Sequence, residues 1–323
     1  MTAPTPTRGA RIAATAAAVG IGVAVAVQAW INGELGQRLD DAVVAAACSN
    51  LGGLVLLVAL AAMGPRVRLG LRRVLTAVRD RTLPRHQLFG GICGAFLLVC
   101  QGLTVATVGV AVFTVAVVAG QTASSLLVDR AGVGPGGPQP VTARRAAGAG
   151  LALGAVMLAV SHRLGAPLAL WFALLPVLAG VGTAWQQAVN GLVAATARGG
   201  GPARAGMLPA ALVNFGVGTA ALAMAAVVEV GIRGGLSNAM PDTPWLYVGG
   251  PLGVFAVGVA AAIVPITGVL LLGLAAVAGQ LVGALLLDLF LPAGPSQVTI
   301  TTLIGTALTL VSVTVVALPG RRP

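Results

Sequence analysis

Apolar residues run along this chain in long blocks, and the short segments between them gather most of the charge. A helix needs about 20 apolar residues to cross a bilayer core roughly 30 Å thick. Ten blocks answer to that length or close to it: 12–31, 42–63, 88–107, 109–128, 145–161, 168–190, 207–229, 245–264, 266–287 and 298–318. The fifth is short. Little more than Gly109 parts the third block from the fourth, and only Pro265 parts the eighth from the ninth. The first is longer than the apolar run of a secretion signal and ends in a motif that returns later, so it is expected to be a helix of the mature protein.

Composition turns ten separate helices into a bundle. Hydrophobic residues make up 57% of the 323 and charged residues only 8%, with a mean hydropathy of +0.98. Soluble domains carry about 25% charged residues, so lipid must solvate most of this chain. The apolar share is largely Ala, Val and Leu, and there are 46 Gly. Small residues let helices in lipid approach closely. The expected fold is an all-α membrane protein.

Charge placement supplies an orientation. The 19 basic residues are all Arg and leave a net charge of +11. With both termini cytoplasmic, every Arg except Arg38, Arg163 and Arg233 falls on the cytoplasmic side, as the positive-inside rule asks. Seven of them crowd the segment 64–87, where Val67, Leu69, Leu71, Val74, Leu75 and Val78 interleave; it is expected to lie on the anionic inner leaflet as an amphipathic segment. Arginines spread between apolar blocks make topology determinants, not a basic face, so no nucleic-acid partner is expected. Glu34, Asp40, Asp41, Glu229, Asp242 and Asp288 fall on or near the outer side.

The chain also repeats itself at an offset of about 159 residues. Gln28-Ala-Trp-Ile-Asn32-Gly33 returns as Gln186-Gln-Ala-Val-Asn190-Gly191, and Asn50-Leu-Gly52 as Asn214-Phe-Gly216. Gly90-Gly-Ile-Cys-Gly94 returns as Gly249-Gly-Pro-Leu-Gly253, and Thr107-Val-Gly109 as Ile266-Thr-Gly268. Gly120-Gln121 with Asp129 returns as Gly279-Gln280 with Asp288. Five helices per half is an odd number, so the second half must enter the membrane inverted, as in many transporters. The expected organisation is a tail at 1–11, a first five-helix repeat at 12–161, a second, inverted repeat at 168–318 and a tail at 319–323, with 130–143 a Gly/Pro-rich linker.

These duplicated motifs resemble the YdcZ-like bacterial inner-membrane family of the drug/metabolite transporter superfamily, over nearly the whole chain. The resemblance implies two inverted repeats around a central cavity, transport of a small molecule, and helices 5 and 10 at the periphery, where a homodimer would form.

Polar residues inside apolar helices mark the candidate site. Gln28 and Asn32 stand one turn apart on helix 1, and Gln186 and Asn190 repeat them on helix 6. Gln121, Ser125 and Asp129 share one face of helix 4; Gln280 and Asp288 match on helix 9, with Ala284 in place of the Ser. Asn50 and Asn214 add an amide each, and Trp185 lies at depth. The six residues Gln28, Gln121, Gln186, Gln280, Asn50 and Asn214 are expected to line a central cavity, with Asn32 and Asn190 nearer its ends. Amides both donate and accept, which suits polar or zwitterionic ligands; interhelical hydrogen bonding is the competing role for each of them. Asp129, Glu229 and Asp288 are the candidates for proton coupling, against interfacial capping. The Gly-Gly-x-x-Gly motifs read as close helix packing, and Trp30, Trp171 and Trp245 as an aromatic belt.

Other chemistry finds no support. Cys48, Cys93 and Cys100 lie within apolar blocks with no metal spacing and are expected to be small core residues; His86 and His162 lie in or beside loops. There is no paired carboxylate at depth, no His-Glu-x-x-His and no ATP-binding motif, so neither an enzyme nor a cofactor is expected. A secondary exporter of a small metabolite or drug is the leading expectation. Import, flipping of a lipid-linked group and a non-transporting scaffold stay open.

Overall fold

The computed structural model describes residues 8–317 except 63, 136, 139–140, 160–166, 203 and 292–297. His162, Arg163, the Trp171 side chain and most of both tails lie outside the described residues. Among the described residues ten α-helices follow in order: α1 (Arg8–Leu39), α2 (Ala42–Ala62), α3 (Pro65–Arg79), α4 (Gly90–Val108), α5 (Val110–Arg130), α6 (Ala143–Ala159), α7 (Pro167–Arg198), α8 (Arg204–Arg233), α9 (Gly249–Phe290) and α10 (Ile300–Ala317). Among the described residues α1, α2, α5, α8 and the segment Arg85–Val108 are long and apolar enough to cross a membrane.

Three differences from expectation have clear causes. α1 starts inside the expected tail and runs on to Leu39, so Asn32 and Glu34 sit within the helix. α3 is helical and amphipathic, but its apolar face, with Val67, Gly70 and Val74 buried, is docked on α7 and α8 and not left free for lipid. Between α4 and α5 the chain breaks at Gly109, whose φ of +87° is open to glycine and strained for any other residue, whereas Gly249–Phe290 is continuously helical through Pro265.

That continuous helix is not straight. A Cβ on Gly249 would meet Asn32, and one on Gly253 would meet Gln28, so the start of α9 runs antiparallel to α1. Further along, Gly279 lies on Val19, Gly283 on Val23 and Ala26, and the Leu291 carbonyl accepts the Trp30 indole N–H at 2.9 Å; this part runs parallel to α1. Drawn out straight, Gly253 to Ala276 would extend about 34 Å, while their contacts Gln28 and Gly22 on α1 are only about 9 Å apart. The chain therefore turns back between them. α4 and α5 do the same against α7: Gly90 and Gly94 lie on Asn190 and Gln186, then Gly120 on Val177 and Ser124 on Val181.

The closest approaches are matched. A methyl group on Gly22 would run into the Ala276 carbonyl and the Gln280 amide nitrogen; one on Gly180 would run into the Val117 carbonyl and the Gln121 amide nitrogen. The fully buried core around Val105, Val110, Phe113 and Val115 lies where α4 and α5 meet their neighbours. Replacing Gly22 or Gly180 with Val is expected to abolish the monodisperse, folded protein on size-exclusion chromatography. Gly154→Ala and Gly216→Ala, where an added Cβ meets nothing within 4 Å, should leave it unchanged.

Candidate functional site

The amide rows of α1 and α7 lie toward opposite ends of the bundle. Asn32 is near the end where α1 finishes and α2 begins, here the upper end. Asn190 is near the lower end, where α3 packs on the last turn of α7. Each row is covered by a glycine motif from the other half of the chain. Gly90 and Gly94 leave room for Asn190 and Gln186; Gly249 and Gly253 leave room for Asn32 and Gln28. A Cβ on Gly94 would be 2.6 Å from Gln186 Nε2, and one on Gly253 would be 2.9 Å from Gln28 Nε2. The two motif types, separate in the sequence, are thus two sides of one contact.

The hydrogen bonding at the two ends is unequal. At the lower end Asn214 Oδ1 accepts from Gln186 Nε2 at 2.9 Å and from Asn190 Nδ2 at 3.1 Å, which ties α7 to α8. The packing shows which residue answers to Asn214 at the upper end. Gly91 presses on the Asn214 carbonyl and Gly218 N, and Gly250 on the Ser49 carbonyl and Gly53 N. Ser49, not Asn50, is the counterpart, and the expected pairing of Asn50 with Asn214 is one residue out. Ser49 lacks the amide that would close the triad. Asn32 instead donates from Nδ2 to Gln101 Oε1 at 2.6 Å. Asn32 Oδ1 and Ser49 Oγ, at 1% and 0% exposure, have no hydrogen-bond partner among the described residues. Asn50 Nδ2 bridges α2 to α8, donating to the Phe215 carbonyl at 3.0 Å and Thr219 Oγ1 at 2.8 Å.

Along α5 and α9 the candidate face is divided. Gln121 Nε2 donates to Gln187 Oε1 at 3.0 Å, while Ser125 Oγ turns back to the Thr122 carbonyl at 2.8 Å. Gln280 and Trp185 are half-buried. Both oxygens of buried Asp288 accept backbone N–H groups, from Val110 and Ala111, each at 2.7 Å. Asp288 thereby supplies acceptors for the two leading donors of α5, immediately after the Gly109 break. Asp129 stands in the last turn of α5. Glu229 pairs with Arg233 at 2.7 Å, one turn apart, and Arg233 also reaches Asp41 at 3.6 Å. Among the described residues no three of His, Cys, Asp and Glu converge as metal ligands would.

Sequence reasoning missed several of these groups. Gln101 has Ala260 at its repeat position, so duplication gave no sign of it. Gln187 was passed over beside Gln186. Asp41 caps α2, its Oδ1 accepting from Val43 N at 3.0 Å and Val44 N at 2.9 Å; an Asp just before an apolar run was the available signal. Trp30 and Trp245 stack on each other at 5.1 Å, 10° from parallel, with the Arg38 guanidinium 5.5 Å from the Trp245 ring centre. They clasp two parts of the chain instead of standing apart in a belt.

One family model, described as "Putative inner membrane exporter, YdcZ", matches residues 13–158 and again residues 171–315. The chain belongs to the YdcZ family. It is a multi-pass inner-membrane protein of an exporter family, and the model's double match agrees with the doubled packing just described. No curated protein matches this YdcZ-family chain.

Two contrasts follow from the hydrogen bonds. Asn214→Ala strands two amide donors and is expected to destabilise the protein by about 1–2 kcal/mol. Ser49→Ala, which removes a hydroxyl with no partner, should be neutral or mildly stabilising; thermal unfolding in detergent compares the two. Asp288→Ala, which uncovers two N–H donors at the start of α5, is expected to cost about 1–3 kcal/mol in the same assay, with Asp288→Asn intermediate because one acceptor oxygen remains.

Proposed function

We propose that this protein exports a small polar or amphipathic metabolite or drug across the inner membrane by alternating access. Two five-span repeats lie inverted about a central site, and both termini are cytoplasmic. The reversal within α9 supports ten crossings, counting α9 twice and leaving α3 at the surface. Opposite directions of α1, which ends at the upper end, and α7, which ends at the lower, support the inversion. Substrate is held by Gln28, Asn32, Asn50, Gln121, Ser125, Trp185, Gln186, Asn190, Asn214 and Gln280. These groups offer hydrogen bonds of both senses and no net charge.

The carrying observation is the exchange of glycine motifs between halves. The start of α4 closes on α7 and α8 at the lower end; the start of α9 closes on α1 and α2 at the upper end. Opening one closure while the other holds is the movement alternating access requires. The closures depend on glycine, since a side chain at Gly91 would strike the Asn214 carbonyl and one at Gly250 the Ser49 carbonyl.

A second reading, flipping of a lipid-linked group, is favoured by one feature. An open groove of about 520 Å³ along the exposed face of α8 is lined by Met224, Val228 and Ile232 together with Glu229 and Arg233. The test begins with thermal stabilisation of purified protein by amino acids, sugars, amines and toxicants, followed by flux of each hit into proteoliposomes. Gln121→Ala and Gln280→Ala are expected to remove both stabilisation and flux. Gly94→Ala and Gly253→Ala, whose added methyl groups meet the movable ends of Gln186 and Gln28 and no backbone atom, should each leave a folded protein whose flux falls at least tenfold. Flux at the native rate in either alanine variant would sink the two-closure mechanism. Full activity in both glutamine variants would sink the central site and turn attention to the α8 groove.

A further inference from the structure

α3 has an inward face docked on α7 and α8 and an outward face that no described residue covers. Inward, Gly70 rests on Pro209 and the Ala197 carbonyl, and Arg73 donates to the carbonyls of Ala197 at 3.3 Å and Arg198 at 2.9 Å. That places a cation at the C-terminus of α7, where the helix dipole favours it. Outward, Arg68, Arg72, Leu75 and Arg79 recur at i, i+4, i+7 and i+11 and so form one stripe along the helix. All four are exposed, Leu75 at 68%. None of the three arginines makes a hydrogen bond or ion pair with any described residue. Like charges one turn apart repel each other, so the stripe opposes folding of α3 unless an anion lies along it.

Beside the stripe, a cleft of about 400 Å³ is lined by Leu69, Arg72, Arg73, Thr76, Asp80 and Thr82. Asp80 is the single carboxylate among these lining residues, against two guanidinium groups. Guanidinium groups match phosphate oxygens two at a time. We propose that the outward face of α3 binds the phosphate headgroup of an acidic phospholipid, with Leu69 and Leu75 against the first carbons of its acyl chains. The exposed leucines set between the arginines select lipid over other polyanions, because a nucleic-acid backbone has no use for them. The inference needs the chain to span a membrane with the outward face of α3 at the headgroups of one leaflet; it is independent of which residues hold the exported substrate.

The test uses purified full-length protein in a neutral detergent and reads the thermal midpoint on adding phosphatidylglycerol or phosphatidylcholine. Phosphatidylglycerol is expected to raise the midpoint by several degrees and phosphatidylcholine to leave it unchanged. The variant Arg68→Gln, Arg72→Gln, Arg79→Gln should lose at least half of that rise. The variant Arg66→Gln, Arg81→Gln, Arg85→Gln removes equal charge away from the stripe and should keep it. Arg73 is left intact because it caps α7. No rise in the native protein, an equal rise with phosphatidylcholine, or equal loss in both triple variants would overturn the site. Should a DNA duplex stabilise the protein as well as phosphatidylglycerol, the surface is a general polyanion binder and the lipid assignment falls. No flux is measured, so failure here leaves the export mechanism untouched, and failure of export leaves this site untouched.

Discussion

In a bilayer two helices gain little by hiding apolar side chains from each other, because lipid tails are equally apolar, and contact must come from how closely backbones fit. Glycines supply that fit here. Gly22, Gly120, Gly180 and Gly279 let carbonyls and amide nitrogens of neighbouring helices sit where a side chain would stand. Through them α1 is held along the second limb of α9 and α7 along α5, while Gly249 and Gly253 hold the first limb to α1 and Gly90 and Gly94 hold α4 to α7. Everything else of consequence, including the direction of the α9 limbs and the position of the amide rows, follows from those two sets of contacts.

Much of this was legible in the chain because a membrane imposes simple rules. Block length is read against a solvent of known thickness, and the Gly109 boundary between α4 and α5 came out at the residue expected. The duplicated motifs were legible too, since Gln28 with Asn32 and Gln186 with Asn190 occupy matched places on α1 and α7. What stayed hidden was whatever the repeat does not duplicate. Gln101 has no polar partner at its matching position, and Ser49 differs from Asn214, so comparison of the halves passed over one and aligned the other wrongly. The docking of α3 was hidden for a different reason: an amphipathic pattern shows that one face seeks an apolar neighbour but not whether lipid or protein provides it. Pro265 is a third case, because the span Gly249–Phe290 stays helical in backbone across it and yet reverses direction between Gly253 and Ala276.

The inequality of the two amide groups bears on function as much as on stability. Three amides at the lower end satisfy one another through Asn214 Oδ1. At the upper end Asn32 Oδ1 and Ser49 Oγ are buried with nothing to bond, and a buried acceptor without a partner costs free energy. The contact over Gly249 therefore carries an unmet cost that the contact over Gly90 does not. Any group able to donate a hydrogen bond there lowers the free energy of the protein, and a symmetric protein would have no such preference between its ends.

The carboxylates fit the same picture. Asp288 is saturated by two N–H donors of α5, Asp41 caps α2, and Glu229 is held by Arg233. A carboxylate that couples transport to protons must give up its partners in one state and regain them in another. Asp288 is poorly suited, since releasing its two N–H donors would uncap α5 beside the Gly109 break. The Asp41–Arg233–Glu229 group is better placed: it joins α2 to α8, the helices that Asn50 also bridges. Its Arg–Asp distance of 3.6 Å is a loose contact that leaves Asp41 Oδ2 without a hydrogen bond. That contact can part without unmaking a helix, because Asp41 Oδ1 still caps α2.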